Sequence, residues 1–187
     1  VMDAIELLTQ RTSCGMLEAP APTSKQLDLM FQAASRAPDH GLLRPYRFLT
    51  IQGAALDRLG QLFLDASLAK NPDIEESQRN RLLNMPLRAP MIVVAIAVKQ
   101  EHPKVPNVEQ VMTAACAAQS VVQAAYAQGI GAMWRSGDLM FDSNVQKGLG
   151  LNENEEIVGF IYLGQPMRDR QAPEADQSQY VAEWMGE

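Results

Sequence analysis

Met91-Ile92-Val93-Val94-Ala95-Ile96-Ala97-Val98 is an unbroken apolar run, rich in β-branched side chains. Branching at Cβ favours the pleated backbone, and eight residues is strand length rather than helix length. The run does not alternate between apolar and polar, so it reads as a central strand buried on both faces. It is also far too short to span a membrane. Just after it, Val108 to Gln128 carries Val111, Ala114, Ala118, Val121 and Ala125 at helical spacing. That helix is apolar nearly all round and lined with alanine, which predicts a buried helix that its neighbours approach closely. Gly129 stands where a C-terminal stop is wanted.

Working outward, the chain alternates between the two periodicities. Ile5 to Leu8 begins a first helix ending near Arg11. Thr23-Ser24-Lys25-Gln26 has the form of a capping box, and Leu27, Met30, Phe31 and Ala34 follow at helical spacing up to Ala37, before Pro38. Tyr46 to Ile51 alternates and reads as a strand. Leu56, Leu59, Phe63 and Ala66 give a helix, Asn71-Pro72-Asp73 breaks it, and Ile74 to Met85 predicts a polar helix. Beyond Gly129 come a short strand (130–134), a small helix (145–149) and a strand (157–163). Residues 165–187 are polar, contain proline and read as an extended tail. The expectation is one α+β domain over 1–187, with helices flanking a mixed central sheet.

Composition narrows the function. The 187 residues are 47% hydrophobic and 20% charged, with a net charge of −6. Nucleic-acid binders normally carry a Lys/Arg patch, and none is visible, so no nucleic-acid partner is expected. The start is acidic where a secretory leader would be basic, which makes the cytoplasm the default compartment and leaves no expected role for a membrane. Two cysteines and two histidines, all far apart, suit neither a disulfide framework nor a zinc site. A serine-hydrolase elbow, a Walker A loop and a Gly-x-Gly-x-x-Gly turn are all missing. The acidic pairs Glu75-Glu76 and Glu155-Glu156 lie in polar surroundings and read as solvated faces. A chain so short of acids, bases and nucleophiles in catalytic arrangements points to chemistry carried by a cofactor.

Three segments hold the candidate ligand contacts. Arg11-Thr12-Ser13 places one cation and two hydroxyls after a helix, a set that can hold a phosphate; the other reading is a cationic helix end followed by a turn. Arg36-Ala37-Pro38-Asp39-His40 presents Arg36 and His40 on a proline-stiffened loop, where ligand contacts concentrate; an ordinary helix end and Asp turn fit it equally well. In Gly129 to Gly137, glycines let backbone approach a ligand, Trp134 offers a flat face, and Arg135 with Ser136 repeats the phosphate chemistry. Here the alternative is a core strand bounded by glycines.

In order along the chain, these segments resemble the nitroreductase family, and specifically its small, minimal branch of NAD(P)H nitroreductases. The likeness rests on Asp3 to Leu8 with Gln10-Arg11-Thr12-Ser13, on Arg36 to His40 with Pro45-Tyr46-Arg47-Phe48, and on Arg88-Ala89-Pro90 before the apolar strand. It continues in Ala125 to Gly129 before Trp134-Arg135-Ser136-Gly137, and in Val158 to Gly164. The resemblance implies a nitroreductase-like FMN-binding fold in an intertwined homodimer. It implies that Arg11, Thr12 and Ser13 hold the FMN phosphate and ribityl region, and that Trp134, Arg135 and Ser136 line the same site. Arg36 and His40 would join it, His40 from the partner subunit. The implied activity is ping-pong hydride transfer from NADH or NADPH, through flavin N5, to a nitroaromatic, quinone or similar small molecule. No protein group would be catalytic in itself, and no metal is expected. Flavin binding without turnover, and a different flavin reaction such as dehalogenation or dehydrogenation, remain the alternatives.

Overall fold

The computed structural model describes residues 2–168 and 171–186. The apolar run forms β3 (Met91–Val98), paired antiparallel on one side with β2 (Tyr46–Gln52) and on the other with β5 (Glu155–Pro166). β4 (Gly131–Arg135) pairs with β5 from Gly131↔Gly164 to Arg135↔Phe160, and the two-residue β1 (Leu17–Glu18) meets the end of β5 at Gln165 and Pro166. Among the described residues every one of these pairings is antiparallel.

β3 is buried on both faces because its side chains alternate between two cores. Ile92, Val94 and Ile96 pack with Leu56, Phe63 and Tyr162, while Met91, Val93 and Ala95 pack with Met30, Ala117 and Val121. Fully burying one Val or Ile side chain is worth about 1.5–3 kcal/mol, so this strand anchors both layers. On one face lie α2 (Ser24–Ala34) and α5 (Asn107–Ala127); on the other lie α3 (Ala54–Lys70), α4 (Glu76–Asn84) and α6 (Ser143–Gly148). Ala114, Ala117, Ala118 and Ala125 of α5 are at most 1% exposed, which lets α2 and the sheet close onto the helix backbone. α1 (Ala4–Gln10) has no buried residue. Among the described residues no helix is long and apolar enough to cross a membrane, and no cluster of three His, Cys, Asp or Glu could hold a metal.

The capping box is present: Gln26 N donates to Thr23 Oγ1 at 3.3 Å, and Thr23 N donates to Gln26 Oε1 at 2.9 Å. Some boundaries move. α2 ends at Ala34 rather than Ala37, because the chain ahead of Pro38 tightens into turns, with Arg36 N on Ala33 O and Ala37 N on Ala34 O. α4 begins at Glu76, leaving Ile74 free to plug the core at 7% exposure. β5 starts at Glu155, and this corrects the reading of Glu155-Glu156 as a solvated pair. Strand alternation turns Glu155 inward, where Arg47 Nε and Nη2 donate to it at 2.6 and 2.8 Å. Glu156 accepts from Lys99 Nζ at 2.9 Å. After Pro166 the described tail has one 3-10 turn, Gln177–Gln179, and is mostly exposed.

Candidate functional site

The segment after α1 is laid against the edge of β4. Asp3 starts α1 by accepting from Ile5 N at 2.9 Å and Glu6 N at 3.3 Å, and the helix ends at Arg11. Cys14 N then donates to Ala132 O at 2.8 Å. The next residue, Gly15, passes so close that a Cβ there would lie 3.2 Å from Met133 Cε and 3.4 Å from Arg135 Nη2. Arg11, Thr12 and Ser13, all half-buried, therefore adjoin the strand that carries Trp134 and Arg135. The first and third candidate segments belong to one place.

Within β4, alternation sends neighbouring side chains to opposite faces. Trp134 packs on the α2/α5 side, over Gly159 of β5, where a Cβ would collide with the indole. Arg135 goes to the other side, its guanidinium carbon 5.2 Å from the centroid of the Tyr162 ring. A cation over an aromatic face is attracted by the ring quadrupole, which holds the guanidinium in place. Its Nε, however, is buried without a hydrogen-bond partner. A buried donor left in that state costs about 1–3 kcal/mol. The strand ends at exposed Ser136 and at Gly137, whose φ of 136° is open to glycine and strained for other residues.

Beyond β4 a cavity of about 710 Å³ opens between this strand end and α3, α4 and the 138–141 turn. Trp134, Arg135 and Ser136 line it. So do residues that sequence reasoning missed: Tyr162 in its floor, Arg81 on α4, and Arg88 in the turn before β3. Lys70 and Asp142 also line the wall, paired at 2.6 Å. Burial raises the Asp142 carboxyl, but Lys70 and the amides of Val145 and Asn144 outweigh it and hold the group below its ordinary value. Burial pushes the Tyr162 hydroxyl up, against the opposing fields of Arg135 and Arg88. The polar α4 pattern gave no sign of the cavity, since only tertiary packing of α4 on α3 sets that helix across the cavity from β4.

The second segment lies elsewhere. Arg36 and His40 are exposed at the end of α2 and in the following 3-10 turn, and neither lines the cavity. Asp39 fixes this loop by accepting from Leu43 N at 3.1 Å and Arg44 N at 2.7 Å. Thr113 Oγ1 of α5 donates to Pro38 O at 2.9 Å, and His40 Nδ1 lies 2.7 Å from Glu109 Oε2. Within one chain this loop belongs to the α5 layer.

The donor set at the β4 edge suits a phosphate ester: Arg11, Ser13, Ser136 and an Arg135 whose buried Nε lacks an acceptor. Residues 8–165 match the model of the nitroreductase family. The chain belongs to the nitroreductase family. This nitroreductase is 41% identical over 165 residues, 88% of its own length and 89% of the relative's, to an Escherichia coli (strain K12) protein named "Putative NAD(P)H nitroreductase YdjA". Its fold is similar to a nitroreductase-like family protein from Bacillus cereus, with TM-score 0.83 at 18% identity, covering 100% of this chain and 98% of that one. It is also similar to an FMN-dependent nitroreductase from Clostridium difficile R20291, with TM-score 0.69 at 20% identity, covering 95% and 98%.

Proposed function

We propose that this nitroreductase is an FMN-dependent NAD(P)H oxidoreductase that reduces small nitroaromatic, quinone or similar acceptors and works as a homodimer. The observation that carries this reading is the partnerless Arg135 Nε beside Arg11–Ser13, at the wall of an open cavity, in a chain of this family. When bound, FMN would accept hydride at N5 from NADH or NADPH and pass reducing equivalents to the acceptor. The protein's part is positioning and electrostatics. Arg11, Thr12 and Ser13 hold the phosphate and ribityl end. Arg135 and Ser136 donate from the other side, while the Trp134 indole, held over Gly159, lies on the opposite face of β4. No protein nucleophile is required of the cavity, because the flavin would supply the redox chemistry when bound.

The dimer is supported by apolar side chains left in water. Ile5 and Leu8 of α1, Leu42, and Val108 and Met112 of α5 are exposed, as are Tyr180, Val181, Trp184 and Met185 in the tail. Exposed apolar side chains on the adjoining helices α1 and α5 suit an association surface. Arg36 and His40 stand beside it, at the same end of α5. In this reading they serve the site of a second copy, which accounts for their distance from the cavity in their own chain. A monomeric mass by light scattering with flavin still bound would sink the dimer. The activity is tested by an anaerobic visible spectrum of the protein with FMN, before and after NADH or NADPH. Bleaching of the flavin band is expected. Failure to retain FMN would overturn the assignment, and bound flavin that stays oxidised would favour a binding role.

A further inference from the structure

The cations around the cavity outnumber the duties so far given them. Lys70, Arg81, Arg88 and Arg135 line it, against the carboxylates of Asp138 and Asp142. Lys70 is tied to Asp142, whose carboxylate also caps α6 through Asn144 N at 2.8 Å and Val145 N at 3.1 Å. Arg135 is taken up by the proposed cofactor site. Arg81 and Arg88 are left, and among the described residues neither forms an ion pair.

Both are aimed by their local structure. Gln78, Arg81, Leu82 and Met85 all face the cavity, and their spacing of three, four and seven residues is one side of a helix. Arg88 ends the 3-10 turn Pro86–Arg88, between the buried Pro86 and Ala89 and directly before β3, so its backbone is fixed to the central strand. Its charge acts on Tyr162, the ring that Arg135 overlies. The floor around these charges is apolar, with Phe63, Met133, Met140 and Phe160. A flat apolar floor with two uncommitted guanidinium groups at the rim suits a ring that carries an anion.

We infer that Arg81 and Arg88 form an anion subsite at the α4 rim of the cavity, taking the carboxylate or phosphate of the ring-bearing molecule that exchanges hydride with the flavin. This rests on the proposed oxidoreductase function and adds the substrate's charge to it. Two sources share the chemistry: a carboxylated aromatic acceptor, and the phosphates of the nicotinamide donor. Because both arginines are exposed, the subsite is wet and its contribution falls with salt.

The test compares FMN-loaded wild type with Arg88→Met, Arg81→Met and Arg88→Lys. Acceptors are para-nitrobenzoate and para-nitrobenzyl alcohol, which share a ring and a nitro group and differ in charge. KM for NADH and for NADPH is measured beside them. In Arg88→Met, KM for para-nitrobenzoate should rise about fivefold relative to that for para-nitrobenzyl alcohol, with Arg88→Lys recovering most of the loss. A rise confined to NADH or NADPH would keep the subsite and give it to the donor's phosphates. No change in either ratio would overturn it, as would a loss of FMN affinity in Arg88→Met, which would make Arg88 a cofactor residue. Calorimetry of benzoate binding to the same proteins needs no turnover. If flavin reduction fails but Arg88→Met still weakens benzoate, the oxidoreductase reading falls and the anion subsite stands.

Discussion

Arg47 and Arg135 project from strands of the same sheet into very different surroundings. Arg47 gives Nε and Nη2 to Glu155 and sends Nη2 to Gly150 O at 3.3 Å, while Glu155 also accepts from Asn152 N at 2.9 Å. Arg135 has an aromatic ring beneath it and a buried Nε with nothing to donate to. The first arrangement is closed within the chain and fixes the end of β5. The second is open, on a residue that also lines the cavity. A structural cation is neutralised by its own fold, whereas a ligand-binding cation is kept in place but left without an acceptor. The pKa directions follow: Arg47 lowers the Glu155 carboxyl against the opposing pull of burial and is itself raised by it.

The strongest way to break this contrast is Glu155→Gln. Removing one partner of a buried pair should cost about 3 kcal/mol in urea unfolding, near the low end for such pairs because Arg47 keeps a third of its side chain in water. FMN affinity should stay as it was; a parallel loss of flavin would show that the two regions are not independent. The same variant carries the pH test. Glu155 is lowered in the folded state, so its contribution is present above the unfolded carboxylate value. It is lost as pH falls through the lower, folded one. Wild type should therefore lose stability more steeply in acid than Glu155→Gln, and equal slopes would contradict the assignment.

Arg135→Met asks the opposite question. It removes a charge-assisted contact to the proposed cofactor, worth roughly 1.5–3 kcal/mol, so FMN should bind about ten- to a hundredfold more weakly. Without flavin the variant should melt no lower than wild type, since it loses an unpartnered donor and keeps the packing over Tyr162. A lower melting temperature without flavin would make Arg135 structural after all. Lys70→Met is the intermediate case. Its partner Asp142 is buried, but Lys70 keeps 65% of its side chain in water, and the α6 amides still hold the carboxylate. The expected cost is below about 1 kcal/mol by thermal unfolding.

What could be read from the sequence followed from how local each signal was. The β3 run, the alanine-lined α5 and the Thr23–Gln26 box declare themselves within a few residues, and each formed. Glu155 was misread because its partner Arg47 is 108 positions away, and beside Glu156 it looked like any solvated acidic pair. Arg11–Ser13 and Trp134–Ser136 stood out as donor-rich segments beside glycines or a helix end, yet their meeting depends on a backbone bond from Cys14 to Ala132. Arg81 and Arg88 were invisible as site residues for the same reason as Glu155: their role exists only after α4 and the Pro86–Arg88 turn pack on α3 and close the cavity across from β4.

The seat of Trp134 over Gly159 has an optical consequence. The chain holds two tryptophans, one half-buried in β4 next to Arg135 and the other, Trp184, 86% exposed in the tail. Their emission should differ in colour. A flavin bound beside Trp134 would quench the bluer component by energy transfer, while tail docking onto a second copy would shift the redder one. One fluorescence spectrum thus carries separate signals for cofactor loading and for assembly.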